Sequence, residues 1–563
     1  MTPISRRGAL VAAVVTVTLA VSGCAGSPAA RFFREPGSTS GNLTGSTGAH
    51  SNRDDETGVG VTIAALRPKK TAAAKYYGQR IDWKPCHKTL KCGSVRVPID
   101  WQHVTGDSID IALVVHPAAG VSLGDLLVNP GGPGGSGVGF VEGGVEDAVD
   151  SAAARRYDVV GFDPRGVGAS APVTCYDDAG TDRYNYSVDP GAIGSAKWIA
   201  AEEKKSKDLA KACAKNTGPV LGHIDSVNAA TDMDVIRSAL GQRKLNFLGY
   251  SYGTYLGTLY AGLFPNSVGR FVLDGADDPW GADYQPGNPS EGPESSDDFS
   301  VAPSDDSAVE QAQGFEDSFS SYLESCLANH PDTVGDHKCP FSGGLAGAQH
   351  HTERILASVN AHPIVAKDGR KLGGATLVTA IDDALYDPSD WPNLTRMFVQ
   401  LGAGNAAQAF EFADEYNDRN PDGSYEDNND FAHLAIGCVE GGSKVDLRYD
   451  RREAAELREV APVLGIYSAY GDLVCSGWKF PEAPFPVTIH ARGTGPIIVV
   501  GTTGDPATPY SDAKLLARQL DNGHLVTFHG DGHTAYDRGD SCIDHTIDGY
   551  LIDGTVPSDP NCH

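Results

Sequence analysis

The chain has no basic run of the kind that grips a phosphate backbone, no C-x-x-C motif and no mixed Cys/His cluster. Each absence removes a class of function. With 45 basic against 73 acidic residues, the formal net charge of −28 repels nucleic acid, and no nucleic-acid partner is expected. Without zinc-ligand spacing, no metal site is expected, and nothing calls for any other cofactor. A Walker lysine–serine pair is missing as well. The one long glycine-rich run, Asn129–Gly137, is not the G-x-G-x-x-G pattern that opens a helix, which argues against a nucleotide loop. Apart from a stretch at the N-terminus, no hydrophobic run is long enough to cross a bilayer.

That N-terminal stretch reads as a targeting signal. Arg6-Arg7 precede an apolar segment, Ala9–Val21, too short for a comfortable span, and Val21-Ser-Gly-Cys24 resembles a bacterial lipobox. Residues 1–23 are therefore expected to be removed. Cys24 is expected to carry lipid, anchoring the protein on the outer face of the cell membrane with release to the medium as an alternative. Residues 24–70, rich in Gly, Ser, Thr and Ala, would form a flexible tether. Eleven cysteines minus Cys24 leave ten, an even number suited to disulfides in an oxidising compartment. Pairing in sequence order is the simplest of several hundred schemes.

What is present is an alternation of strands and helices. Ile109–Val115, Asp125–Asn129, Tyr157–Phe162, Lys244–Gly249 and Arg270–Asp274 read as strands, and Ser226–Leu240 as a helix. This predicts an α/β fold with a mainly parallel sheet covered by helices on both faces. The pattern lapses after Pro279. Residues 281–308 are loaded with Pro, Gly, Ser, Asp and Glu, and then helical periodicity takes over, as in Gln313–Ala328, Leu377–Tyr386 and Ala406–Tyr416. Strands return at Val487–His490, Gly495–Val500 and His524–Phe528. An interrupted and resumed sheet implies core at 71–280, loop and helical cap at 281–460, and core again at 461–563. A monomer is expected.

Residues 249–253, Gly-Tyr-Ser-Tyr-Gly, lie between the strand Lys244–Gly249 and a helix-patterned run ending at Pro265. G-x-S-x-G in that setting is a nucleophile elbow, with Ser251 lifted above the sheet. A serine hydroxyl needs a neighbouring base, and the base needs an acid to orient it. In the chain order serine, acid, histidine, Asp505 follows the strand Ile497–Val500, and His533 follows the strand His524–Phe528. Asp472 and Asp531 compete as acids, and His529 and His545 as bases. The glycine-rich run after Asp125–Asn129 suits an oxyanion loop, with donors assigned to the amides of Gly132 and Tyr252 and Gly131 as a further candidate.

With these residues in view, the chain resembles secreted α/β-hydrolases of the tripeptidyl aminopeptidase group, related to proline iminopeptidases. The matching stretches are Asn129–Gly137, Gly161–Gly168, Gly249–Gly253, Val272–Gly275, Gly504–Pro509 and Gly532-His533. The resemblance implies an α/β-hydrolase fold with an inserted helical cap. It implies peptide substrates cut from their free amino termini, with Ser251, Asp505 and His533 as triad and the cap contacting substrate. An exopeptidase must also hold the substrate's ammonium, for which a desolvated carboxylate is the natural partner. Glu440 is the first candidate and Asp278 the second. Asp163 and Arg165 are assigned a supporting role. An esterase, a lipase or an endopeptidase could use the same triad.

Overall fold

The computed structural model describes residues 62–68, 70–278, 307–441, 445–484, 489–558 and 561–563. The expected signal peptide, Cys24, nearly all of the tether and most of the 281–308 loop lie outside the described residues. Strands β1 (Lys84–Pro85), β2 (Lys91–Pro98), β3 (Ser108–His116), β4 (Asp125–Asn129), β5 (Asp158–Phe162), β6 (Leu245–Tyr250) and β7 (Val268–Asp274) come from the first part of the chain. A small antiparallel pair, β8 (Ile364–Val365) and β9 (Lys371–Leu372), stands apart. Strands β10 (Ile497–Gly504), β11 (Gly523–Asp531) and β12 (Asn561–Cys562) return to the main sheet.

That sheet runs β1-β2-β3-β5-β4-β6-β7-β10-β11-β12. Its first three pairings are antiparallel, and from β5 onward every neighbour is parallel. Continuous apolar runs such as Leu126-Leu-Val and Ile497-Ile-Val-Val suit strands buried on both sides. Alternate residues feed two opposite cores. Leu127, Phe247, Leu273 and Val499 pack on one face, while Val128, Leu248, Val272 and Val500 pack on the other.

Between β7 and β10 lies the helical insertion. Helices Ser307–Leu327, Gly344–Ala361, Gly374–Tyr386, Trp391–Gly402 and Ala407–Tyr416 share a core built around Phe319, Tyr322, Leu377, Ile381 and Phe398. Helices Asn429–Glu440 and Leu447–Val460 follow. The insertion is tied to the sheet domain by specific bonds. Gln311 donates to Ala507 O (2.8 Å), and Asn428 Nδ2 to Gly166 O (2.8 Å). The ten described cysteines pair in sequence order: 86–92, 175–213, 326–339, 438–475 and 542–562.

One expected strand is not formed as read. Val487 lies outside the described residues, and Ile489 and His490 belong to no strand. Ile489 is buried in the core, and His490 caps the neighbouring segment, its Nδ1 on Gln519 O and its carbonyl accepting Asp521 N–H. At Ile489 the apolar side chain reflects burial in a connecting segment, not a ladder. Arg165 is wholly buried and structural. It clamps Asp232 in a bidentate pair (2.7 and 2.8 Å) and donates to the carbonyls of Pro98, Ile99 and His223. Asp163 accepts from Ser136 Oγ, Val138 N and Ala169 N, fixing the helix that follows the glycine-rich loop.

Candidate active site

Ser251 sits where β6 turns into the helix Tyr252–Leu263, at φ 53° and ψ −129°. That is a left-handed conformation costly to any residue with a Cβ. The surroundings enforce it: Ser251 N–H donates to Asp274 O of β7 (2.9 Å). The flanking glycines are required by close approach. A Cβ on Gly249 would lie 2.4 Å from Gly253 O, and one on Gly253 would lie 2.8 Å from Asn129 Oδ1. The G-x-S-x-G spacing is thus a packing condition for holding a serine at the sheet's carboxyl edge.

His533 follows β11, and Asp505 follows β10. His533 Nδ1 meets Asp505 Oδ1 at 2.8 Å and Oδ2 at 3.0 Å. Asp505 is itself held by the amides of Ala507 (3.0 Å), Thr508 (2.9 Å) and Thr534 (3.2 Å). Three N–H donors hold the acid in place, and its two oxygens fix the ring so that Nδ1–H points at it. His533 N–H donates to Tyr386 O (2.8 Å), and the Tyr386 ring meets the imidazole edge-on at 5.3 Å. The cap therefore orients the base.

His533 Nε2 is buried and forms no hydrogen bond with any group among the described residues, Ser251 included. The ring lies against Gly275, where a Cβ would be 3.0 Å from His533 Cε1. Gly275 directly follows the residue whose carbonyl holds Ser251 N–H. The open imidazole nitrogen and the strained serine thus border the same turn. Serine–histidine bonds often tighten only when substrate arrives.

The oxyanion loop packs on the elbow. A Cβ on Gly131 would lie 2.9 Å from Ser251 Cβ and 3.4 Å from Tyr252 N. Gly131 N–H is donated to Asn129 Oδ1 (3.1 Å), which removes Gly131 as an oxyanion donor and leaves the next amide, Gly132, as the loop's candidate together with Tyr252 N–H. Of the rival residues, His529 stacks on His563 at the far edge of the sheet, and Asp531 lines, together with Asp505, a cavity of about 550 Å³.

Glu440 ends the helix Asn429–Glu440 and accepts Ser226 N–H, at the start of the helix Ser226–Ala239. Ser226 Oγ in turn pairs with the Tyr252 hydroxyl. Glu440 is thereby set one side chain away from the residue after the nucleophile. Burial pushes its carboxyl up to about 7, with Asp225 adding repulsion. Asp278 is buried, and its negative field reaches Asp512. Its neighbour Asp277 is the acid that the sequence reading passed over. Asp277 N–H donates to Thr254 Oγ1 (2.9 Å), its carboxyl lies within the field of His533, and burial raises it to about 6. Its position just past the carboxyl end of β7 was the available signal.

Comparison with known proteins agrees with this geometry. A family model described as TAP-like protein matches residues 461–562, which include Asp505 and His533. Serine protease Hip1 of Mycobacterium tuberculosis is 36% identical over 501 residues, covering 85% of this chain and 90% of that one. Carboxylesterase B of the same organism is 34% identical, covering 87% and 91%. Tripeptidyl aminopeptidase of Streptomyces lividans is 30% identical, covering 98% and 95%. With its elbow serine, its mainly parallel sheet and these relatives, the chain belongs to the tripeptidyl aminopeptidase-related family of α/β-hydrolase serine peptidases.

Proposed function

We propose that this serine hydrolase is an exported exopeptidase that releases short peptides, tripeptides among them, from substrates with a free amino terminus. The carrying observation is the buried Asp505–His533 pair beside the strained Ser251, with an ionisable carboxylate, Glu440, reached through Tyr252. In this reading Ser251 Oγ attacks the scissile carbonyl while His533 Nε2 takes its proton. The resulting oxyanion is held by the amides of Gly132 and Tyr252. As the tetrahedral adduct collapses, His533 returns the proton to the leaving amine. Water then repeats the sequence on the acyl-enzyme and frees the N-terminal fragment. Glu440 holds the substrate's ammonium and so sets the register, with Asp278 or Asp277 as its alternative. A lipid at Cys24 would keep the enzyme at the outer membrane face.

A carboxylesterase reading is supported by the relative of that name, since acyl transfer to serine does not separate esters from amides. The deciding experiment is mass spectrometry of products from a peptide library with free or acetylated amino termini, with Ser251→Ala as control. Tripeptides released only from unblocked peptides support the proposal. An intact library alongside rapid ester turnover overturns it.

A further inference from the structure

The cap contributes a second group of acids to the neighbourhood of the triad. Its anchor is the end of the helix Gly374–Tyr386, whose last residue packs on His533. One turn earlier, Asp382 is 1% exposed, and neither carboxylate oxygen has a hydrogen-bond partner among the described residues. The hydroxyls of Tyr386 and Tyr416 are buried and equally unmatched, and both rings lie in the field of Asp382 and Asp383. Leaving such groups unsatisfied costs about 1–3 kcal/mol each, so a cluster of them calls for a complementary partner.

Asp383 and Asp418 complete the group. Both are half-buried, so they keep surface that a ligand can touch, and each repels the other. Among the described residues no Lys or Arg pairs with Asp382, Asp383 or Asp418. Arg419, next in sequence, spends its guanidinium on Asp182 (2.6 Å) and Asp414 (3.6 Å). On the opposite side, Asn429 Nδ2 donates to Asp418 Oδ2 (3.2 Å), and a Cβ on Gly134 of the oxyanion loop would lie 2.6 Å from Asn429 Oδ1. The acids are therefore bracketed by His533, through Tyr386, and by the oxyanion loop, through Asn429.

We infer that Asp382, Asp383 and Asp418, with the hydroxyls of Tyr386 and Tyr416, form a subsite for the cationic side chain of a lysine or arginine in the substrate peptide. The inference rests on the peptidase reading and adds a charge preference to it. An ammonium or guanidinium supplies several N–H donors to the unmatched oxygens of Asp382 and to the acids beside it, and it can lie over the tyrosine faces. A hard divalent ion is a poorer match, because it seeks six or more oxygens and these acids come with few neutral oxygen ligands. A neutral apolar side chain would leave the carboxylates as they are. The subsite therefore discriminates by charge, not by size.

The test uses the full-length protein and peptides with free amino termini that carry lysine, arginine, norleucine or citrulline at each acyl-side position in turn. At one position, kcat/KM for lysine or arginine should exceed that for norleucine or citrulline at least about tenfold, a difference of about 1.4 kcal/mol. Asp383→Asn and Asp418→Asn should bring that ratio close to one. Should either variant fail to fold, inhibition of the wild type supplies the readout. Butylamine should then compete with norleucine peptides and butanol should not. Equal turnover of lysine and norleucine peptides at every position overturns the subsite alone, as does a preference that survives both substitutions. Resistance of every peptide overturns the subsite and the peptidase reading together.

Discussion

Two sets of carboxylates lie on either side of the Tyr386–His533 contact, and they are treated in opposite ways. On the sheet side, Asp505 accepts three backbone amides and an imidazole, and Asp274 accepts the amides of Ala535 (3.1 Å) and Tyr536 (2.8 Å). These acids are saturated by their own chain and serve to fix a turn. On the cap side, Asp382 has no hydrogen-bond partner among the described residues, and Asp383 is repelled by Glu415, Asp390, Asp418 and Asp382. Saturation marks machinery that must not move, whereas want of a partner marks a surface prepared for a ligand. Glu440 falls between the two, half committed to Ser226 N–H and raised to about 7 by burial.

The largest effect lies on the saturated side. Ser251→Ala should lower kcat for any substrate by roughly 10⁶-fold, measured as single-turnover hydrolysis, while the thermal melt stays close to wild type. Next comes Asp505→Asn, which keeps the shape but lets His533 adopt the wrong tautomer. A loss of roughly 10⁴-fold in kcat is expected, and retention of more than a tenth of the activity would place the orienting acid elsewhere.

How much of this was written in the sequence depends on how local each signal is. The elbow, the glycine-rich loop and the turns holding Asp505 and His533 each follow one apolar strand, so ten or so residues suffice to recognise them. The cap acids lie on separate elements, and Asp382-Asp383 and Asp418 meet only after folding. Nothing in Ala380-Ile-Asp-Asp-Ala384 distinguishes a lining acid from a solvated one. Strand β2, Lys-Cys-Gly-Ser-Val-Arg-Val-Pro, was missed because its exposed first half reads as polar. Ile489-His490 misled for the opposite reason, since a buried β-branched residue suits a connecting segment as well as a strand.

Smaller effects sharpen the contrast. Because burial raises the Glu440 carboxyl from 4.5 to about 7, the free enzyme loses this anion as pH falls through that value. The kcat/KM ratio of unblocked peptide to neutral ester should therefore drop between pH 8 and pH 6. Glu440→Gln should flatten the ratio and raise KM for unblocked peptides by roughly tenfold, as expected for a charge-assisted bond worth about 1.5 kcal/mol. A ratio independent of pH in the wild type would remove Glu440 from ammonium binding.

The smallest effect concerns stability. Asp382 is held well above its ordinary value by burial, so the folded protein without a bound cation keeps a proton there that the unfolded chain releases. Its presence therefore costs stability increasingly as pH rises above the unfolded value, and costs nothing below it. Asp382→Asn should stabilise the protein by on the order of 1 kcal/mol at pH 8 and very little near pH 4, read by denaturant melts. A variant less stable at pH 8 would show that the acid is satisfied within the fold.

The most direct measurement is the site of covalent capture. After reaction with a fluorophosphonate, peptide mapping by mass spectrometry should find a single phosphonyl adduct on Ser251, formed slowly or not at all in His533→Ala. An adduct on another residue, or peptide hydrolysis that persists in Ser251→Ala, would contradict the assignment of the strained elbow serine as nucleophile.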